Sequence, residues 1–279
     1  MKWGAFVAIS GMFVTLETVA GSFGVSALSN HDSTAWNSDR NCSSAVQCNL
    51  LVYEDAITLA AAQGAKLMVF PEGYSLSPDQ SEIEPWISIV GEAPCDIMDL
   101  DSSPAQIRIS CAARKNRLTV LANIFVLLPN GTTLMTDVVF DDNGTVVATY
   151  SKHHLFPTEK LHFSPGPYSP TLFPLEDFVF GLIICYEGIW PLTWWGDWEQ
   201  MEDLVTMGAT HFIWSIGGAV PLPYSAAYLA EKFETGVLAA EGEWAAAILG
   251  TDGLSVDTND FALFVEGYTA NASVRVGFI

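Results

Sequence analysis

The apolar positions of this chain fall into short continuous runs broken by polar turns, interleaved with stretches in which they recur at helical spacing. The densest run is FVFGLIICYE, Phe178 to Glu187. It is rich in β-branched and aromatic types and does not alternate, so it predicts a strand buried on both faces. It gives way to Cys185, Tyr186, Glu187 and Gly188, placing a thiol where a core strand meets a turn. Open sheets carry their chemistry at such strand ends, although a lone cysteine in an apolar run is more often packing than chemistry.

Taken in order, Phe23 to Leu28 (FGVSAL) predicts a first strand and residues 30–49 a polar loop. Leu50, Tyr53, Ile57, Ala60 and Ala61 keep a helical period, with Gly64 placed to end that helix in a left-handed turn. Lys66 to Phe70 predicts a strand that runs into Pro71, Glu72 and Gly73, so a carboxylate follows this strand as the thiol follows the other. Ser103, Pro104 and Gln106 read as the N-cap, first-turn proline and capping-box glutamine of a helix reaching about Lys115. Leu118 to Leu128 is β-rich, and Asn130-Gly131 and Asn143-Gly144 are hairpin turns, with Lys152 just beyond the resulting meander. A Pro- and Gly-rich loop from Phe156 to Pro170 carries Glu159. Past the central strand, Asp197 and Gln200 are placed to cap a helix bearing Trp198, Met201, Leu204 and Val205 on one face. A strand His211 to Ile216, a helix carrying Ala226, Leu229, Phe233, Val237 and Ala240, and a strand Trp244 to Leu249 complete the pattern. Strands alternating with helices, with a meander inserted, predict an α/β protein.

Composition narrows the partners. With 11 basic against 32 acidic residues the formal net charge is -21, which repels phosphate backbones and anionic lipid surfaces, so nucleic acid is excluded as a natural partner. No repeat, phosphate-cradling glycine loop or His pair at metal-ligand spacing is present, and no metal or other cofactor is expected. Lys2, the apolar run Trp3 to Val14 and the small residues Ala20, Gly21 and Ser22 form a signal-peptide pattern over residues 1–20, leaving one domain over 21–279 and no membrane span once the signal is removed. Sequons at Asn41, Asn130, Asn143 and Asn271 fit a secretory route to the extracellular space. Among the five cysteines, Cys42, Cys48, Cys95 and Cys111 can form two disulfides and leave Cys185 over. Sequence proximity favours Cys42 with Cys48 and Cys95 with Cys111, although three connectivities are open.

The words around the three reactive residues, VFPEG at Glu72, YSKHHLF at Lys152 and GLIICYEG at Cys185, resemble the nitrilase (carbon-nitrogen hydrolase) superfamily, with Glu, Lys and Cys in that chain order. The stretches PCDIMDLDSSPAQIRISCAA, VLANI and TDVVFDDNGTVVATYSKHHLF are similar to its biotinidase and vanin (pantetheinase) branch. The likeness runs from about Leu50 to Gly250 and departs from the branch at Tyr186-Glu187, at Trp190-Pro191 and at Ser215 to Gly218. After Asp252 it fades, as it would at a truncated or divergent end, and the second domain of that branch has no counterpart.

This resemblance implies a four-layer αββα sandwich, pairing of two copies as a homodimer, and a thiol amidohydrolase acting on a small-molecule linear amide, such as the vitamin conjugates pantetheine or biocytin. It implies Cys185 as nucleophile, Glu72 as general base and acid, Lys152 as oxyanion stabiliser helped by the N–H of Tyr186, and Glu159 orienting the lysine. A thiol is mostly protonated at neutral pH, and a lysine cation together with a carboxylate base is expected to favour thiolate attack on an amide carbonyl. Taken singly, Glu72 and Lys152 read as solvated residues at strand ends. Two further readings stay open: a general aliphatic amidase or nitrilase, and a secreted binding module that kept the fold without activity.

Overall fold

In a computed structural model the structure describes residues 24–29, 42, 44–78, 82–97, 103–192, 196–218, 222–241, 246–250, 258–263 and 272–278. The signal segment, Asn41, Asn271 and the predicted strand positions Phe23 and Trp244 lie outside the described residues.

Two sheets form the centre. In chain order the first holds β1 (Gly24–Ser29), β2 (Leu67–Val69), the two-residue β3 (Glu84–Pro85), β4 (Thr119–Leu127), β5 (Thr133–Phe140), β6 (Val146–Ser151), β12 (Thr258–Leu263) and β13 (Ala272–Phe278). The second holds β7 (Leu172–Leu175), β8 (Phe178–Ile184), β9 (His211–Ile216), β10 (Gly236–Glu241) and β11 (Ala246–Leu249). The first is ordered β12-β13-β1-β2-β4-β5-β6, with β3 also on β4, and the second β11-β10-β9-β8-β7. Strands β1, β2 and β4 run parallel, as do β8, β9 and β10, and helices make the crossovers such pairs require. These are α1 (Ala45–Ala62), α2 (Pro104–Asn116), α3 (Glu199–Thr206) and α4 (Leu222–Phe233).

The layering follows from which apolar faces meet. Leu67, Val69, Leu121 and Val139 of the first sheet pack on Phe180, Leu182, Ile213 and Leu238 of the second, forming an inner core. The opposite face of the first sheet packs on α1 and α2 through Tyr53, Ile57, Ile109 and Val120, and that of the second on α3 and α4 through Leu204, Phe212, Trp214 and Leu229. The result is an αββα sandwich. Because β4, β8 and β9 are covered on both sides, their sequences run apolar without alternation.

Several local readings change. The loop predicted over 30–49 ends earlier, because the Ser44 side chain accepts the Gln47 N–H and starts α1 at Ala45. The Gln106 side chain does not close a capping box: it accepts from Ile87 N–H and Ser88 Oγ, while a distant carboxylate, Glu84, takes the free N–H groups of Ala105 and Gln106. Asp197 accepts from Glu199 N–H at 3.4 Å, and Gln200 turns inward to Tyr150 and Glu187 instead of capping α3. The helix predicted through Val237 and Ala240 stops at Phe233. Both residues lie in β10, where parallel pairing with β9 buries them. Strands β7, β12 and β13 have no counterpart among the predicted elements. Gly64 takes a φ of +85° past the end of α1, and Gly131 and Gly144 take +84° and +77° in their hairpin turns.

Candidate active site

The first sheet supplies the carboxylate and the cation. The chain leaves β2 through Phe70 and Pro71, and the next residue, Glu72, has its backbone fixed by a single turn in which Ser75 N–H donates to the Glu72 carbonyl. Asn123 of β4 accepts the following N–H, that of Gly73, at 2.9 Å, so the turn is stitched to the sheet. Lys152 emerges from β6 with its N–H on Met135 O and its carbonyl accepting Gly166 N–H. Its Nζ donates to Glu72 Oε1 at 2.6 Å and to Glu159 Oε1 at 2.7 Å, and the lysine and Glu72 are each only 1% exposed. Glu159 sits in the first turn after the Phe156–Pro157 bend and uses its other oxygen to accept Phe156 N–H at 2.7 Å. One ammonium is thus shared by two buried carboxylates, which leaves the trio with a net negative charge.

The second sheet supplies the thiol. At the end of β8 the backbone turns sharply, and Cys185 itself adopts φ +44°, a left-handed conformation that costs on the order of 1–3 kcal/mol for a non-glycine residue. Two contacts hold it. Trp214 Nε1 donates to the Cys185 carbonyl at 2.8 Å, and the indole packs so tightly on Gly188 that a Cβ there would collide with it. Glu187 turns back to accept Ile184 N–H at 2.8 Å, Tyr150 OH at 2.6 Å, His153 N–H at 2.8 Å and His154 N–H at 3.1 Å. Its carboxylate therefore joins the cysteine turn to the residues directly after Lys152.

The two sets face one cavity of about 300 Å³ lined by Glu72, Glu159, Cys185, Tyr74, Phe156 and Tyr186, with Thr158, Ile189, Gly217 and Gly218 completing the wall. Cys185 keeps partial exposure there and has no disulfide partner. A Cβ at Gly217 would collide with Glu72 Oε2, so only glycine lets β9 end this close to the carboxylate. Desolvation pushes the Cys185 thiol up, Glu72 and Glu159 push it further, and Lys152 with the Gly217 N–H offset only part of this. The lysine is shared by its two carboxylates, so its pull on the thiol is only partial and the resting sulfur favours its protonated form. Burial opposes the charge on Lys152, but Glu72 and Glu159 outweigh it and hold the ammonium charged. Burial raises the Glu159 carboxyl despite Lys152.

Away from the cavity, Cys42 pairs with Cys48 and Cys95 with Cys111. Asn130 and Asn143 are exposed in their hairpin turns. The sequence offered a signal for Gly217 and Gly218, two glycines directly after a strand, but none for Tyr74, Thr158 or Ile189, which sit in ordinary loop contexts. Among the described residues no group of His, Cys, Asp and Glu side chains is placed to hold a metal ion, and no helix is long and apolar enough to cross a membrane.

Residues 39–208 match the carbon-nitrogen hydrolase family. The chain is 32% identical over 158 residues to pantetheinase from Homo sapiens, covering 50% of this chain and 31% of that one. It is 29% identical over 161 residues to biotinidase from Rattus norvegicus, covering 50% and 30%. The match thus spans about a third of the length of these curated relatives. Among solved structures, an amidase from Nesterenkonia sp. superposes with a TM-score of 0.66 at 18% identity, over 92% of this chain and 90% of that one. A mutant of that amidase shows covalent addition of the acetamide moiety of fluoroacetamide at its active site cysteine, with a TM-score of 0.67 at 19% identity.

Proposed function

This chain belongs to the carbon-nitrogen hydrolase family, and on that premise we propose that it is a secreted thiol amidohydrolase cleaving a linear amide. The observation that carries this reading is one cavity lined by the free Cys185, Glu72 and Glu159, with Lys152 bonded to both carboxylates.

In this reaction the Cys185 sulfur attacks the amide carbonyl carbon while its proton passes to Glu72. Because the thiol is protonated at rest, transfer and attack belong to one event. The oxygen that gains charge is stabilised by Lys152 and by the Tyr186 N–H, a donor of a kind typically worth about 3–4 kcal/mol. Collapse breaks the C–N bond, and Glu72 hands the proton to the departing amine. Water then gives a proton to Glu72 and its oxygen to the thioester carbon; as the acid leaves, the departing sulfur takes that proton back from Glu72, restoring thiol and carboxylate. Glu159 holds the ammonium in place throughout.

The cavity wall suggests what fits. Tyr74, Phe156, Tyr186 and Ile189 offer apolar surface, and the one cation within reach, Lys152, is already paired, so the described wall has no counter-charge for a carboxylate on the acyl group. A neutral acyl group is indicated, and likeness to pantetheinase and biotinidase supports pantetheine or biocytin. The small volume favours a second reading, a general aliphatic amidase. Exposed sequons at Asn130 and Asn143 and the two disulfides support the secretory route.

The test is amine release from pantetheine, biocytin and short aliphatic amides by the purified protein and its Cys185→Ala variant. Release that the variant abolishes supports the reading, and the substrate turned over selects between the two forms. No release from any of these amides, with no labelling of Cys185 by a thiol-directed activity probe, would leave the fold serving as a binding module.

A further inference from the structure

Behind the cavity lies a carboxyl that the proposed reaction does not use. Asp137, in the middle of β5, is fully buried between the sheets. Its Oδ1 accepts Asn123 Nδ2 at 2.8 Å and Ser215 Oγ at 2.9 Å, whereas Oδ2 has no hydrogen-bond partner among the described residues. Both donors lead to reactive groups. Asn123 is the residue whose own oxygen accepts Gly73 N–H, next to Glu72. Ser215 lies in β9 between Trp214, which holds the Cys185 carbonyl, and Gly217, which packs on Glu72.

Five elements face Asp137. Its neighbour on β4 is Asn123, and on β6 it is Tyr150, whose hydroxyl is held by Glu187. β9 presents Ser215, the turn after β2 presents Glu72, and the turn after β8 presents Glu187. Two hydrogen bonds favour the carboxylate form, while burial and two negative neighbours oppose it.

We propose that Asp137 is a positioning residue of this site, bracing the Glu72 turn against the strand that holds Cys185, and that its ionisation increases the pull of Glu72 on the thiol proton. The physical reason is direct. A charge on Asp137 repels the charge on Glu72, and protonating Glu72 relieves that repulsion, so the base becomes stronger when its neighbour ionises. A stronger base matters here because the thiol resists ionisation. Desolvation, with Glu187 and Glu72 opposing the bonds from Asn123 and Ser215, pushes the Asp137 carboxyl up to about 7, so the change of state falls at neutral pH.

This inference rests on the thiol-and-base reading of the site, and its test does not need an amide substrate. Cys185 is the free cysteine among the described residues, so its alkylation by iodoacetamide reports how readily it yields its proton. The wild-type rate should rise about tenfold through a step centred near pH 7, and Asp137→Asn, which keeps the Oδ1 acceptor but cannot ionise, should lack that step. Ser215→Ala, which removes one donor to the carboxylate, should move the step to higher pH without abolishing it. Infrared difference titration should show one buried carboxylic acid losing its proton over the same range in wild type and not in Asp137→Asn. An unchanged alkylation step in Asp137→Asn, or no such acid in the wild-type spectrum, overturns the proposal. If wild type turns over no amide yet shows the step, the amidase reading fails while the role of Asp137 stands.

Discussion

The Glu187 carboxylate accepts the His153 backbone N–H at 2.8 Å across 34 positions of sequence, joining the turn that carries Cys185 to the strand end that carries Lys152. The same carboxylate also accepts Ile184 N–H and Tyr150 OH, so its removal leaves several buried donors unpaired. Glu187→Ala is expected to lose about 3 kcal/mol or more of stability. Glu187→Gln, which keeps one acceptor oxygen, should lose less. Denaturant unfolding alongside amide turnover checks this, and a Glu187→Ala protein as stable as wild type would refute the joining role.

Lys152 should tolerate no neutral replacement. In Lys152→Gln, Glu72 and Glu159 remain buried without a cation, a change that costs on the order of 3–5 kcal/mol. The change removes the oxyanion stabiliser together with the partner that holds the base in place. Turnover should fall by at least about 10²-fold. The additional Glu159→Gln substitution should recover part of the stability but none of the turnover, which unfolding and rate measurements on the double variant would show.

Gly217→Ala separates geometry from stability. The added methyl meets Glu72 Oε2 directly and must displace the base while leaving both sheets in register. Turnover is expected to drop by about tenfold or more, since a small misplacement near the reacting atoms is costly. The melting temperature should change little. Equal turnover in the variant would show that Glu72 has room to move.

Two buried groups should tilt the dependence of stability on pH in opposite directions. Burial lowers His211 to about 4, so between about 6.5 and 4 the unfolded chain binds more protons and stability is lost as pH falls. Asp137, raised by burial to about 7, makes the folded chain the better proton binder above its unfolded value near 3.9, so its contribution is lost as pH rises toward 7. His211→Asn should therefore flatten the acid-side loss, a change of up to about 3 kcal/mol. Asp137→Asn should be more stable relative to wild type at pH 7 than at pH 4. Urea unfolding at the two pH values resolves the two signs.

The candidate site was legible where a reactive residue follows an apolar strand. Glu72 and Cys185 stand just past apolar strands and Lys152 just past a hairpin strand. Singly, however, Glu72 and Lys152 read as solvated, and the family resemblance of the words around all three, in chain order, is what points to them. Long-range bonds were not legible. Gln106 has the spacing of a capping residue, and nothing nearby in sequence shows that Glu84 takes that task from 22 positions away. Val237 and Ala240 satisfy a helical period, yet parallel pairing with β9 decides their state. Asp137 sits in a strand that reads as an ordinary meander, and its meaning depends on Asn123 and Ser215, brought from two sheets. The rise in the Cys185 thiol was not legible for the same reason, since one lysine in sequence becomes one lysine shared by two carboxylates in space.

Strand β1 is hydrogen-bonded on one side to β2 and on the other to β13, antiparallel from Gly24↔Phe278 to Ser29↔Ser273. During synthesis, residues 24–29 leave the ribosome long before their partners at 272–278 exist. At roughly 5–20 residues per second the wait is on the order of ten seconds to a minute. Through that interval one edge of β1 has no native strand to pair with, a surface open to pairing with other chains. The sheet that carries Glu72 and Lys152 is thus finished last, and folding helpers that shield strand edges have most to do before residue 272 emerges.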